Sequence, residues 1–206
     1  MKGAIEFSTE TVNLPLSAPV WEQVFTVAPL VLVGTKEPDG SYDLAPKHMA
    51  TPLGWSDRYG FVCTPRHATH ANIERTGVFT VSFPHDQQVV QAALAATRRD
   101  AQNAKPLLGA LPTFPARRVD GVLVHGCALF LECELDRMVP GLDDGDAELI
   151  VGRIVAAAAR PENVRGPDVD DADLLQRAPL LAYVSPGRYA AVGETFSFPF
   201  PSEFSR

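Results

Sequence analysis

Cysteine is scarce in this chain. Cys63, Cys127 and Cys133 are an odd set among 206 residues and have no C-x-x-C spacing. They imply neither a disulfide framework nor a zinc ribbon, and because all three lie in apolar stretches they read as small buried hydrophobes in a reducing compartment. Long apolar runs are missing too. None approaches the ~20 residues that a helix needs to cross a bilayer, and the opening MKGAIEFSTE lacks the apolar segment of a secretory signal. The expected location is therefore the cytoplasm. Basic residues are few and dispersed, 18 Lys and Arg against 25 Asp and Glu for a net charge of −7. Phosphate-backbone binding needs them clustered, so no nucleic-acid or membrane partner is expected, and an anionic ligand would need a local basic pocket. The common chemical templates are also absent: no G-x-G-x-x-G after a strand, no Walker loop, no G-x-S-x-G elbow, no H-E-x-x-H. His67-x-x-His70 with His48 or His125 matches no metal signature, so no metal site is expected.

What is present is strand chemistry. The length and the 46% apolar content suit one domain, 1–206, with a core over about 20–195, an N-terminal arm 1–19 and a Phe-rich tail 196–206. Residues 24–35, 58–64, 77–83, 121–139 and 147–159 are rich in β-branched and aromatic residues and read as strands. Residues 42–51 form another, with Tyr42, Leu44, Pro46, His48 and Ala50 on one face and Asp43, Ala45, Lys47, Met49 and Thr51 on the other. Pro46 lacks the N–H a ladder requires, which makes this strand an edge or a bulge. A short helix opens near Thr69, a candidate N-cap, and stops at Gly77. Val90, Ala93, Leu94 and Thr97 at helical spacing predict the longest helix, from Gln87 to about Ala104. Many strands, few helices and no βαβ rhythm favour a closed antiparallel barrel with inserted helices over a doubly wound sheet.

One constellation carries chemistry. A helix opening at Thr69 presents unpaired N–H groups and the positive end of its dipole, with Arg66 just upstream and Asn72 in the first turn. Amides, a hydroxyl and a guanidinium converging in this way suit a phosphate monoester. The plainer alternative is that Thr69 only caps the helix and Arg66 is a solvated loop residue.

Five stretches in order, DGSYDLAPKHMATPLG, TPRHATHANIERTGVFTVS, HGCALFLECEL, GDAELIVGRIVAA and PLLAYVSPGRYAAVG, resemble the flavin reductase-like family of FMN-binding split barrels over about residues 24–193. The resemblance implies a mainly β, Greek-key-like split barrel and a homodimer whose interface completes the flavin pocket. It further implies FMN rather than FAD as cofactor, NAD(P)H as electron donor and, in two-component systems, an oxygenase partner. The family's N-x-A-P-x-S segment, which runs beside the flavin ring, is matched by Ala45, Pro46 and Lys47, with Asp43 for the Asn and His48 for the Ser. Its T-x-x-N-I helix start, which binds the phosphate, is matched by Thr69, Asn72 and Ile73, and Arg66 is placed to help. Tyr189 is expected at the mouth. One departure bears on activity. The G-D-H triplet, whose histidine lies near the nicotinamide, here reads Gly145-Asp146-Ala147, leaving His48 and His125 as the candidate catalytic histidines. Two other readings stay open: an FMN oxidase of pyridoxamine-phosphate-oxidase type, and a non-enzymatic flavin- or haem-binding protein.

Overall fold

The computed structural model describes residues 11–101 and 105–201. A four-residue helix, α1 (Val20–Gln23), precedes twelve strands: β1 (Thr26–Pro29), β2 (Val31–Lys36), β3 (Tyr42–Lys47), β4 (Ala50–Pro52), β5 (Arg58–Cys63), β6 (Val78–Phe83), β7 (Thr113–Pro115), β8 (Val122–Val124), β9 (Leu129–Leu142), β10 (Ala147–Ala159), β11 (Leu180–Ser185) and β12 (Arg188–Val192). Helix α2 (Ala68–Thr76) joins β5 to β6, α3 (Val89–Ala95) follows β6, and α4 (Asp171–Arg177) precedes β11. Among the described residues no helix is long and apolar enough to cross a membrane.

The main sheet is antiparallel, in the order β3-β2-β6-β9-β10-β5-β4; β1-β11-β12 and β7-β8 form two smaller sheets. Its two edges, β3 and β4, are separated in the chain by only His48 and Met49, so the sheet must roll until its edges nearly meet. Val62 N–H extends the β4–β5 ladder into this connection by donating to the Met49 carbonyl at 2.8 Å. The result is a curled antiparallel half-barrel, mainly β and antiparallel as expected, whose sheet rolls without the full closure that the strand pattern suggested.

Strand β2 is buried along Val31–Thr35 because both of its faces are covered. Val31 and Val33 enter a core with Tyr59, Phe61, Phe79 and Ile150, whereas Leu32 faces Leu44, Ala92 and Val124 under α3. Period-two alternation thus divides one strand between two cores. Phe61 and Phe79 meet edge-on at 5.4 Å, beside a bulge in β10 at Gly152. A Cβ there would fall inside contact distance of the Phe79 ring. Gly152→Ala is therefore expected to cost about 1–3 kcal/mol through overpacking, read as a shift in the urea midpoint; an unchanged midpoint would show that the ring gives way freely.

Several expected elements are divided. Residues 24–35 form two strands in different sheets, broken at Pro29 and Leu30, since proline ends β1's ladder. Residues 42–51 form β3 and β4 on opposite edges. Residues 121–139 divide at a turn where Gly126 takes φ +81°, leaving β8 in its own hairpin. The predicted long helix is only a 3₁₀ turn, Asp86–Gln88, followed by the seven-residue α3, so α2 with nine residues is longer. Thr97 closes α3 by donating its hydroxyl to the Leu94 carbonyl, and Arg99 is drawn into ion pairs with Glu37 and Asp43. The end of that expected helix, residues 102–104, lies outside the described residues, as does the tail beyond Pro201. All three cysteines are buried and free, and burial pushes the Cys127 and Cys133 thiols up to about 12.

Candidate functional site

The sheet's seam opens into a cleft between edge strand β3, the β5–α2 loop and the end of α3. One lobe, about 370 Å³, is lined by Pro46, Lys47, His48, Arg66, His67 and Ala147, among others. The other, about 480 Å³, shares Pro46, Lys47, Arg66 and His67 and adds Ala45, Thr69 and Lys105. Five cations, Lys47, Arg66, Arg98, Arg99 and Lys105, line this second lobe against one carboxylate, Asp43. In a chain of net charge −7, this is the local basic pocket that an anionic ligand needs.

Strand alternation aims Asp43, Ala45 and Lys47 at the cleft and Leu44 into the core. Pro46 sits on the edge strand opposite Leu32, so its missing N–H breaks no central ladder. Asp43 is 3% exposed. Lys105 Nζ stands 2.8 Å from its Oδ1, an ion pair rather than an aligned hydrogen bond, and Arg99 reaches Oδ2 at 3.2 Å. Lys105 also donates to the Leu44 and Ala95 carbonyls at 3.0 and 3.2 Å, tying β3 to the end of α3. Lys47 Nζ lies 3.3 Å from Cys63 Sγ and 5.9 Å over the Phe61 ring.

The helix cap lies two residues earlier than expected. His67, not Thr69, is the N-cap, and its side chain makes no capping bond. Helix geometry leaves the Ala68 and Thr69 amides without intrahelical partners, and both residues line the cleft. Thr69 is buried behind them. Arg66 is exposed and donates to Asp146 Oδ1 at 3.1 Å. Asn72 is drawn elsewhere: its Nδ2 donates to Thr35 Oγ1 at 3.1 Å, and its Oδ1 accepts from Arg75. That buried amide pins α2 to β2 and lines neither lobe.

The histidines separate. His48 packs its ring 4.6 Å from Tyr183 of β11. His67 faces both lobes, whereas His70 is buried against Glu148, with Nε2 and Oε2 2.8 Å apart. His125, expected inside an apolar strand, occupies the exposed turn after β8, beside Phe114 at 4.8 Å, and lines neither lobe. Tyr189 is 58% exposed on β12 and lines neither lobe; its cross-strand neighbour Tyr183 is the tyrosine that reaches the cleft's His48. Among the described residues no three His, Cys, Asp or Glu side chains are grouped to hold a metal ion. Ala147 lies in the cleft beside Asp143 and Asp146, after a turn in which Asp143 and Asp144 take φ +50° and +53°.

Burial, and then the nearby Lys47, push the His48 pKa below its usual 6.5; burial, and then Lys47, Arg66 and Lys105, do the same for His67. On acidification the unfolded chain, whose histidines titrate near 6.5, takes up protons first. The contribution of these two groups to stability is therefore complete above about pH 6.5 and is lost as pH falls through that value toward their folded pKa values. Denaturant midpoints are expected to drop from pH 7.5 to 5.5, and His48→Gln/His67→Gln to flatten that slope. An equally steep slope in the double variant would assign the loss to other groups.

His67, Arg98, Arg99 and Lys105 escaped the sequence reading as cleft residues. Their convergence depends on the edge of β3, the α2 cap and the loop after α3, which are distant in the chain.

Residues 25–190 match the flavin reductase like domain. No curated protein matches the chain. Among solved structures, nitrilotriacetate monooxygenase component B from Bacillus cereus superposes with a TM-score of 0.78 at 17% identity, covering 93% of this chain and 100% of that one. Flavoredoxin from Methanosarcina acetivorans gives 0.74 at 18%, covering 94% and 97%. An NADH:FAD oxidoreductase from Streptomyces globisporus gives 0.63 at 15%, covering 80% and 86%. These likenesses speak to the fold, and the domain match over most of the chain speaks to descent: this split barrel belongs to the flavin reductase-like family of flavin oxidoreductases.

Proposed function

We propose that the chain binds FMN in the β3–α2 cleft and passes electrons from NAD(P)H through it to a separate acceptor, such as an oxygenase partner, acting in the cytoplasm as a homodimer. One observation carries this reading: Ala45, Pro46, Lys47, His48, Arg66 and Thr69, drawn from two separate stretches of sequence, line one cationic cleft. The donors suit the group. Uncapped amides at Ala68 and Thr69, the Arg66 guanidinium and Lys47 offer a phosphate what it needs. Ala45 and Pro46 present a small-residue edge along which a flat ring system packs closely. When bound, the flavin supplies hydride and electron transfer; the chain supplies position and charge.

Within that division of labour, Lys47 places a fixed positive charge in both lobes, where it favours an anionic ligand. His48, braced by Tyr183, and His67 stay neutral near pH 7, able to donate or accept a hydrogen bond without adding charge. Ala147 stands where the family has a histidine, and two histidines, His48 and His67, line the same lobe and are the candidates to take over its role. The test is the absorption spectrum of purified protein loaded with FMN, then treated anaerobically with NADH or NADPH. Bleaching is expected with at least one donor. Failure to bind FMN would overturn the reading, and binding without bleaching would transfer it to an oxidase or a pure binding protein.

A further inference from the structure

A cavity of about 670 Å³, larger than either lobe of the cleft and sharing no lining residue with them, lies between the small sheet β1-β11-β12, α4 and the main sheet at Phe83 and Leu129. Leu174, Leu181 and Val192 supply apolar wall from three elements. Phe83 and three prolines, Pro29, Pro84 and Pro179, add rigid faces, and such side chains have little or no rotamer freedom to lose when something packs on them. Among the described residues, the only polar side chains in the wall are Asn163, Arg165 and Asp171. Two of these are engaged with each other. Arg165 Nε and Nη2 donate to Asp171 Oδ1 and Oδ2 at 2.8 and 2.6 Å, so the wall offers no unpaired charge. Asn163 is different. It ends the 3₁₀ turn Pro161–Asn163 after β10, where its N–H donates to the Arg160 carbonyl, yet its side-chain Oδ1 is buried with no hydrogen-bond partner. An unpaired buried acceptor is destabilising, whereas a leucine would complete this apolar wall without that penalty, so packing alone gives no reason for an amide here. A buried water is a poor partner for it, because a water needs several polar neighbours and the wall's other polar side chains are bonded to each other.

We propose that this cavity is a second small-molecule site, which takes a neutral phenol with its ring against the rigid apolar wall and its O–H donated to Asn163 Oδ1. Each feature of that ligand answers a feature of the wall. It is neutral because the Arg165–Asp171 pair is closed on itself and leaves no charge to recognise. It is a flat ring because Phe83 and the prolines form a preformed surface that a rigid body covers at low entropic cost. It carries a donor because the one buried polar atom without a partner in this wall is an acceptor. The volume suits such a molecule, since small-molecule sites run from roughly 300 to 1,000 Å³. Val27 of β1 lines the cavity and is 72% exposed, which marks where the cavity opens to solvent. The site goes beyond the flavin reading and does not rest on it, because none of its residues belongs to the cleft.

Isothermal titration of the full chain with 2-naphthol and with its methyl ether, 2-methoxynaphthalene, tests this, each run with and without saturating FMN. The naphthol is expected to bind saturably under both conditions, and the ether, which keeps the rings and loses the donor, to bind weaker by about tenfold or more. Asn163→Leu is expected to remove the difference between the two ligands while raising the urea midpoint of the unliganded chain, because the unpaired acceptor is gone. Val27→Trp, a change at an exposed position, is expected to obstruct the opening and weaken both ligands. Equal affinity for naphthol and ether in the wild-type chain would overturn the proposal, as would discrimination that persists in Asn163→Leu or binding that Val27→Trp leaves unchanged. Displacement of the naphthol by FMN would place it in the cleft and overturn the second site. Binding of neither ligand, the result expected if another copy of the chain covers the opening, would overturn it too. Failure of the chain to bind FMN while naphthol binds with these properties would overturn the flavin reading and support this one.

Discussion

Lys105→Met is expected to destabilise the fold by about 3–5 kcal/mol, the scale for removing one partner from a buried ion pair, with the lower end favoured because Arg99 still reaches Asp43 at 3.2 Å. Asp43 is almost fully buried, and Lys105 supplies its shortest ion pair while satisfying two carbonyls, Leu44 on β3 and Ala95 at the end of α3. Removing the ammonium therefore leaves a carboxylate short of countercharge and unties the cleft wall from the helix behind it. Urea denaturation with the double variant Asp43→Asn/Lys105→Met separates these effects. Neutralising the carboxylate is expected to recover most of the charge penalty and none of the lost tie. If Lys105→Met costs under ~1 kcal/mol, the pair behaves as a surface salt bridge and the wall is held by other means. The same variant links stability to function: Ala45, Pro46 and Lys47 follow Leu44 on β3, so a loosened wall is also expected to weaken flavin binding.

The second large effect is on affinity. Arg66→Ala is expected to weaken FMN binding by at least tenfold, about 1.4 kcal/mol, and to leave riboflavin, which lacks the phosphate, bound as before. The guanidinium is exposed and held by a single exposed partner, Asp146, so removing it disturbs no core packing and the loss reports on the ligand. Thr69→Ala, which removes a hydroxyl and keeps the backbone amide, is expected to have the smaller effect of the two. Fluorescence titration with both flavins distinguishes the outcomes. Equal losses for FMN and riboflavin would move Arg66 from the phosphate to the ring, and no loss for either would remove it from the site.

Much of this protein is legible in its residues taken in order. The strand-rich composition, the missing βαβ rhythm and the proline inside a β pattern at Pro46 already specify a mainly antiparallel sheet with a broken edge, because those properties are local: a missing N–H and period-two alternation act within one strand. The stop at Gly77 was equally plain, since a left-handed glycine, here at φ +69°, ends a helix whatever surrounds it. The two stretches that line the cleft, 43–49 and 66–69, stand out in the sequence through their resemblance to the family's ring and phosphate segments.

Tertiary structure decided the rest. Asn72 looked like a phosphate ligand by spacing, yet its side chain bonds to Thr35 because α2 lies directly on β2, a packing no local pattern encodes. Tyr189 and Tyr183 are both plausible in a strand pair; only the way β11 passes the seam puts Tyr183 against His48. Lys105, Arg99 and Asp43 become one ionic cluster because a loop more than fifty residues beyond β3 folds back onto it. Local backbone chemistry determined the strand-rich character of the chain and the breaks at Pro46 and Gly77. The rolling of the sheet, which brings β3 and β4 nearly edge to edge, determined which of their side chains share a site, because that closure is set by packing across the whole core.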